Sequence, residues 1–565
     1  MSEVNNIEEK NSSPGDNNST GHKKSLMASG LSLSFFTLCS RILGLVREMT
    51  KASFLGTSKF ADAFGIAFMI PNLLRRLFAE NSISVAFIPT FRGYIEGSSS
   101  EKNSENLEKT REFLNSTLTL ISFCTAVVVV LGIIFSPLII PIFLDSSDSV
   151  LTAETVLLTR IMFPYLFVIS IAAFFQGILN GVKIFSPSGF TPVLFNSIVI
   201  ACTFIFTPLL TKNAGDMEAR AQMAARAMSF GVILGGCVQA GFQLPFVLKT
   251  GWFCRFTSLK KAFTNPGTKK VIALVGPTII GMAAYQLNDV VSTALAGKAG
   301  TGIVSSLQYS LRLQELILGI FAVSVGTVIL PDLSGLAKKE KWAEFNGLLS
   351  QAVKIIALIS IPVTFYSLVC GKEIISLVYK SKNFDDESVR LTLSAFRFHI
   401  AGLFFIAMNR VMAPAFYAQG NTKSPTLAGI LGLVINMLFA ILLIKPMSGG
   451  GIALALTLGS LANSVLLFVF LRKNRQIDVK KVVGGTVLYS LKIAVFSAVA
   501  VIPAVAVKEV LVPVFAGRGR LVEFGIVVVL TALVFAAAGI FLLAVSRDKM
   551  LLSAKNMIIK KKKSI

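Results

Sequence analysis

The chain has 565 residues, 53% of them hydrophobic and 15% charged, with a formal net charge of +24. Soluble domains hold roughly 25% charged residues, so this composition excludes an assembly of soluble domains and makes a lipid bilayer the expected solvent. It also excludes a basic nucleic-acid-binding protein, whose Lys and Arg would sit on a soluble unit, because here they fall mostly in short loops and tails.

Residues 1–24 are polar, rich in Asn and Ser, and end in His22-Lys23-Lys24 without the apolar core or cleavage site of a signal peptide, so a disordered cytoplasmic tail is expected there. Apolar spans follow near 26–55, 60–92, 113–143, 151–180, 187–210, 222–248, 271–297, 302–334, 347–379, 388–418, 425–446, 451–471, 484–513 and 520–545. At about 20 apolar residues per crossing these make about fourteen transmembrane helices, an all-α polytopic membrane protein. With the N-terminus inside, the basic loops at 249–270, 335–346 and 472–481 and the tail at 547–565 all fall on the cytoplasmic side. The opposite loops, such as Asp145 to Glu154 and Asp216 to Arg220, are mixed in charge, so both termini are expected inside. The Lys560 to Lys563 run is read as general retention by anionic headgroups. Six cysteines in mainly apolar stretches form no C-x-x-C pair and stand beside no His cluster, which indicates neither zinc nor redox chemistry.

An internal repeat at an offset near 240 residues relates Gln176-Gly177, Asn180-Gly181, Lys183, Ser186-Pro187 and Asn196 to Gln419-Gly420, Asn421, Lys423, Ser424-Pro425 and Asn436. Phe78-Ala79 with Pro89 answers Phe321-Ala322 with Pro331 in the same way. The expectation is two related six-helix lobes, residues 25–248 and 271–472, joined by the basic loop and followed by an appended helix pair at 482–546.

A charge at the centre of a lone membrane helix costs roughly 2.5–3.5 kcal/mol by insertion scales, so such groups pair or face a wet cavity. Span one carries Arg41, Arg47 and Glu48 around Gly44; span two carries Asp62, then Arg75, Arg76 and Glu80 after Pro71; span eight carries Arg312 and Glu315. Helical spacing puts Arg41 on the face of Glu48, pairs Arg76 with Glu80 and Arg312 with Glu315, and leaves Asp62 as a fourth candidate partner. The five arginines exceed Glu48, Glu80 and Glu315, so a residual positive field is expected, with Arg47, Arg75 and Arg312 facing each other across the lobe interface. Guanidinium suits phosphate and carboxylate through its planar fork of donors. Asp289 of span seven, with Asn436 of span eleven, is read either as a site for a coupling cation or proton or as an interhelical hydrogen bond. Arg160, Lys354, Arg397, His399, Arg410 and Lys492 are expected to be structural. Prolines 71, 89, 164, 187, 277, 331 and 362 can bend helices.

Ser40 to Glu48, then Asp62-Ala63-Phe64, then Pro71 to Glu80 closely resemble, in order and spacing, the N-terminal signature of the MurJ/MviN family of lipid II flippases. Gly276-Pro277 and the stretch from Tyr309 to Glu315 add to the likeness, which covers the whole length. The resemblance implies a carrier, not an enzyme, that moves undecaprenyl-pyrophosphate-linked disaccharide-pentapeptide from the inner to the outer leaflet of a bacterial cytoplasmic membrane by alternating access. It further implies a V-shaped pair of lobes around a cationic cavity, with the last two helices forming a groove for the polyprenyl tail. Arg47, Arg75 and Arg312 match the family's essential cavity arginines, and Arg41, Asp62, Glu80 and Glu315 stand at positions also tied to the cavity or its gating; Arg76 is a further candidate for the headgroup on its charge alone. The partners implied are lipid II and membrane lipids, with a monomer favoured and no organic cofactor.

The sequence departs from the family's pattern at Glu48, where Asp is frequent, at Asn81, where Gly usually follows, and at Leu311, where some members carry Asp. Sodium-binding members of the family use carboxylates of spans seven and eleven, whereas here Ala440 stands four residues after Asn436, so the expected coupling is to membrane potential or protons, with sodium kept as a further alternative. The rival readings are an exporter of another lipid-linked oligosaccharide or of drugs in the same superfamily, and a membrane scaffold without transport. A pump for cationic drugs would want carboxylates in its cavity rather than excess arginine.

Overall fold

The computed structural model describes residues 17–80, 83–100, 104–145, 148–211, 216–474 and 476–552. Among them every regular element is helical. The first half runs α1 (Asn17–Leu55), α2 (Lys59–Leu74), two π-helical stretches (Arg75–Glu80 and Ile83–Phe87), α3 (Ile88–Ser100), α4 (Ser104–Ile139), a 3-10 turn (Ile140–Ile142), α5 (Ser149–Met162), α6 (Pro164–Gly181), α7 (Ser186–Leu210) and α8 (Met217–Lys249). The second half runs α9 (Leu259–Thr264), α10 (Pro266–Ala299), α11 (Ile303–Lys338), α12 (Trp342–Val369), α13 (Gly371–Tyr379), α14 (Asp386–Ala401), α15 (Leu403–Ala418), α16 (Lys423–Met447) and α17 (Gly449–Leu471). A π-helical turn (Lys480–Gly484) then leads into α18 (Gly485–Phe515), and another (Leu521–Ile526) into α19 (Val527–Val545).

Helices dominate because backbone N–H and C=O groups in hydrocarbon must be satisfied within their own segment. Nine helices among the described residues are long and apolar enough to cross a membrane, and ten when α14 and α15, bent by 41°, are taken as one broken span. The rods α1, α2 to α3, α10 and α11 stand where the other four spans are expected. Proline sets several of the breaks: Pro164 opens α6 directly after α5, and Pro187 opens α7. Several helix starts are capped by a polar side chain, as Asp216 does for Ala219 N and Asp385 for Ser388 N.

Two boundaries differ from expectation. Helix α1 begins at Asn17, inside the segment read as a disordered tail, because a helix already nucleated in the membrane extends at little cost per residue; residues 1–16 of that tail lie outside the described residues. The basic loop at 249–270 is packed rather than slack. Arg255 N donates to Asn115 Oδ1 and Thr257 N to Thr119 Oγ1 on α4, and α10 already begins at Pro266. Only residues 547–552 of the basic tail are described.

The two halves repeat one packing scheme. Helix α7 lies against α1 and α8, and α16 lies correspondingly against α10 and α17. The N-terminal lobe is held by Phe60, Met162, Tyr165 and Val199 among α2, α5, α6 and α7, and by a second cluster of Phe87, Phe91, Phe113 and Phe174 rings. The C-terminal lobe buries Tyr309, Phe345, Tyr379, Phe396 and Met408 in one continuous core. Helices α18 and α19 pack on α12 through Ala357, Ile361 and Ile493, and Tyr366 OH donates to Val528 O at 2.6 Å. Their outward side chains, Leu488, Leu491, Ile502 and Phe541, are exposed. An apolar surface of this kind is stable only in lipid or under a partner.

Candidate functional site

Most of the sequence-predicted charges lie along the seam where α1 and α2 meet α11 and α10. On α1, Arg47 Nη2 donates to Glu48 Oε1 at 2.7 Å, with side chains only 21% and 14% exposed. The guanidinium of Arg47 stands 5.9 Å from the ring centroids of both Phe68 and Phe195, a cation over aromatic faces. Glu48 thus pairs with its immediate neighbour Arg47 and not with Arg41, as the helical spacing had suggested.

Arg41 instead crosses to the other half. Its guanidinium lies against Gly319 of α11, and reciprocally the guanidinium of Arg312 lies against Gly44 of α1. A Cβ at either glycine would collide with the arginine, so each helix is notched where the other's cation seats. Arg312 Nη1 also faces Glu315 Oε2 at 3.5 Å, as its spacing predicts. Asn196 of α7 donates to Ser40 O at 3.4 Å and steadies the same stretch of α1.

Arg75 and Arg76 form a second group, on the π-helical turn after α2. π-Helical turns add one residue per hydrogen-bonded ring and cluster at functional sites. Their wider winding changes which faces the side chains occupy. Arg75 Nε donates to Asn72 Oδ1 at 3.1 Å, and Arg76 faces Asp289 Oδ2 of α10 at 3.6 Å. The side chain of Glu80, its expected partner, lies outside the described residues. Asn436 donates not to Asp289 but to the adjacent Asn288 Oδ1 at 2.7 Å, and its own Oδ1 is buried without a hydrogen-bond partner among the described residues. The interhelical bond is therefore present at this position, and Asp289 is engaged by Arg76. The structure brings Arg41 and Arg312 together at the α1–α11 seam, holds Arg47 on α1 against Glu48, Phe68 and Phe195 of its own half, and sets the turn of Arg75 and Arg76 beside α10.

Asp62, expected as a gating or pairing residue, pairs with no arginine among the described residues. It is 3% exposed and accepts from Gly302 N at 2.5 Å and Ser305 N at 2.7 Å. Helix α11 starts at Gly302, which has no capping side chain of its own, so a carboxylate of one half caps a helix of the other and meets the positive end of its dipole. More bonds cross at the same end. Thr57 and Ser388 hydroxyls lie 2.8 Å apart, Asn383 donates to Ser53 O at 2.8 Å, and the buried Tyr309 hydroxyl donates to Gly56 O at 2.9 Å. Ile66, Phe143 and Leu144 seal this end against Ile303, Leu307 and Ile452. The α1–α2 and α10–α11 turns and the loop before α14 thus lock the halves together at the end opposite the basic loops.

Sequence reasoning overlooked Lys51. It is 3% exposed, donates to Gln308 Oε1 at 2.7 Å, and stands 5.1 Å from the Tyr309 ring centroid. Its position one turn after Arg47 on α1 was the available signal. The bidentate pair of Arg226 with the buried Glu154, at 2.8 and 2.6 Å, was also missed, because Glu154 was read as a loop residue.

Two lobes of repeated packing, locked at one end and lined with basic residues along their seam, define a polytopic membrane transporter. The fold overlays, with a TM-score of 0.61 at 15% identity, on an inward-facing multidrug resistance MATE family transporter of the MOP superfamily, over 78% of this chain and 96% of that one. A lipid II flippase MurJ in an inward closed conformation overlays with a TM-score of 0.71 at 25% identity, covering 91% of this chain and 98% of that one. Residues 51–516 match the family described as lipid II flippase MurJ. The probable lipid II flippase MurJ of Treponema pallidum is 45% identical over 527 residues, 93% of this chain and 97% of its own. The lipid II flippase MurJ of Burkholderia cenocepacia is 31% identical over 446 residues, 78% of this chain and 83% of its own. The chain belongs to the lipid II flippase MurJ family.

Proposed function

We propose that this chain carries lipid II from the inner to the outer leaflet of a bacterial cytoplasmic membrane by alternating access, with both termini inside and no covalent step. The observation that carries the reading is the reciprocal seating of Arg41 and Arg312 in glycine notches across the seam. It sets basic groups of both halves at the interface where a diphosphate headgroup would pass. The Arg312–Glu315 and Arg76–Asp289 pairs, at 3.5 and 3.6 Å, are long and part-exposed. Such pairs are worth about 0–1 kcal/mol, so a diphosphate replaces either carboxylate at little cost. The shorter, more enclosed Arg47–Glu48 pair holds its place and positions the others.

With the latch end shut, the headgroup enters from the opposite side while the polyprenyl tail stays in lipid along α18 and α19. Release of the latch then opens the seam outward. Turnover is coupled to the membrane potential or to protons, and the protein works as a monomer. The test is complementation of a cell depleted of its own flippase, read as lipid II exposed at the outer surface. Wild type is expected to restore exposure, and Arg75→Ala and Arg312→Ala are expected to fail at equal expression. Normal exposure with both variants would overturn the reading.

A further inference from the structure

On the periphery of the C-terminal lobe, a cavity of about 660 Å³ opens between the first half of α12, the start of α18 and the segment after α19. Lys354, Lys481, Lys492, Arg547 and Lys549 line it with a single carboxylate, Asp548. That carboxylate is consumed within the wall. It is 4% exposed, accepts from Lys492 Nζ at 2.6 Å and from Met550 N at 2.9 Å, and holds Tyr489 OH at 3.3 Å. Burial pushes the Asp548 carboxyl up, but the Lys492 ammonium and the two amides following it leave it below the usual aspartate range. Arg547 adopts φ 47°, the left-handed turn that usually ends a helix on glycine, and this folds Asp548 back under α19. Among the described residues, Lys354, Lys481, Arg547 and Lys549 make no ion pair.

The cavity therefore has the size of a small-molecule site, a wall fixed by an internal ion pair, and four cations with no partner carboxylate among the described residues. It lies at the end of the bundle that carries the basic loops, and from it the exposed apolar side chains Leu488, Leu491 and Val495 run along α18. None of its walls belongs to the α1–α11 seam. We propose that this pocket binds the phosphate headgroup of an anionic glycerophospholipid of the inner leaflet, whose acyl chain lies along α18. Basic pockets between membrane helices at the cytoplasmic face take lipid phosphates in this manner. The headgroup pocket shares no residue with the seam, while its acyl chain would lie on α18, the helix that the proposed function also gives to the polyprenyl tail.

The test uses the full chain reconstituted in phosphatidylcholine vesicles, with spin-labelled phosphatidylglycerol or phosphatidylcholine as probe and the immobilised fraction as readout. Wild type is expected to prefer phosphatidylglycerol by about fivefold or more, the contribution of a single basic group near an anionic surface. Lys354→Gln/Arg547→Gln/Lys549→Gln is expected to lose that preference, and Lys354→Arg/Arg547→Lys/Lys549→Arg to keep it. Removing three exposed charges outside the pocket, Lys260→Gln/Lys269→Gln/Lys270→Gln, is expected to leave it intact. Equal loss in both neutralised triples would show general surface attraction only and overturn the proposal. Abolition by inorganic phosphate at matched ionic strength would assign the pocket to a soluble anion instead, and overturn it equally.

Discussion

The two ends of the lobe interface are built from different chemistry. At the latch, Asp62, Tyr309, Thr57 and Asn383 bond mainly to backbone groups of the other half, at 2.5–2.9 Å. Along the seam, Arg312 and Arg76 face carboxylates at 3.5 and 3.6 Å in part-exposed pairs. Buried bonds to backbone have fixed geometry and leave an orphaned donor when broken, whereas part-exposed ion pairs exchange partners easily. One end is thus suited to two discrete positions, shut or open, and the other to binding and releasing an anion.

Asp62→Ala breaks the latch side most severely. Two bonds to a charged acceptor are lost, each worth about 1.5–3 kcal/mol, so the shut state should lose more than a hundredfold in population. The measurement is the disulfide yield between cysteines placed at Thr57 and Ser388, which is expected to collapse; an unchanged yield would mean that Asp62 holds nothing shut. On the seam side, Gly44→Ala displaces the Arg312 guanidinium and is expected to lower lipid II exposure about tenfold or more while leaving expression intact. Wild-type exposure would show that the notch is incidental. Tyr309→Phe removes one neutral buried bond worth about 0.5–1.5 kcal/mol, and should lower the same disulfide yield by about two- to tenfold. Smallest of all, Glu315→Gln removes a part-exposed pair worth about 0–1 kcal/mol and should leave folding, read as thermal unfolding in detergent, nearly unchanged. A large loss of stability there would erase the contrast between the two ends.

Much of this was legible in the sequence. Apolar runs cut by Gly and Pro placed the rods, while the offset near 240 residues led to the expectation of two related lobes and the charges of spans one, two and eight to that of a shared basic cavity. The pairing was less legible, because spacing rules presume an ideal α-helix and a partner on the same element. Arg76, on the π-helical turn at Arg75–Glu80, also faces Asp289 on another helix, a contact that same-helix spacing does not give. Asp62 finds its donors 240 and 243 residues away, at a helix start that only the folded chain brings near. Lys51 carried no motif of its own, and its burial follows from the meeting of α1 with α11.

The central claim is that the halves must part at the latch for cargo to leave. Thr57 and Ser388 hydroxyls stand 2.8 Å apart across it, close enough for Thr57→Cys/Ser388→Cys to form a disulfide once the six native cysteines, all free among the described residues, are replaced. Outer-surface exposure of lipid II in cells relying on that variant is predicted to stop under oxidation and to return on reduction. Exposure continuing at the wild-type rate with the disulfide fully formed would contradict the account.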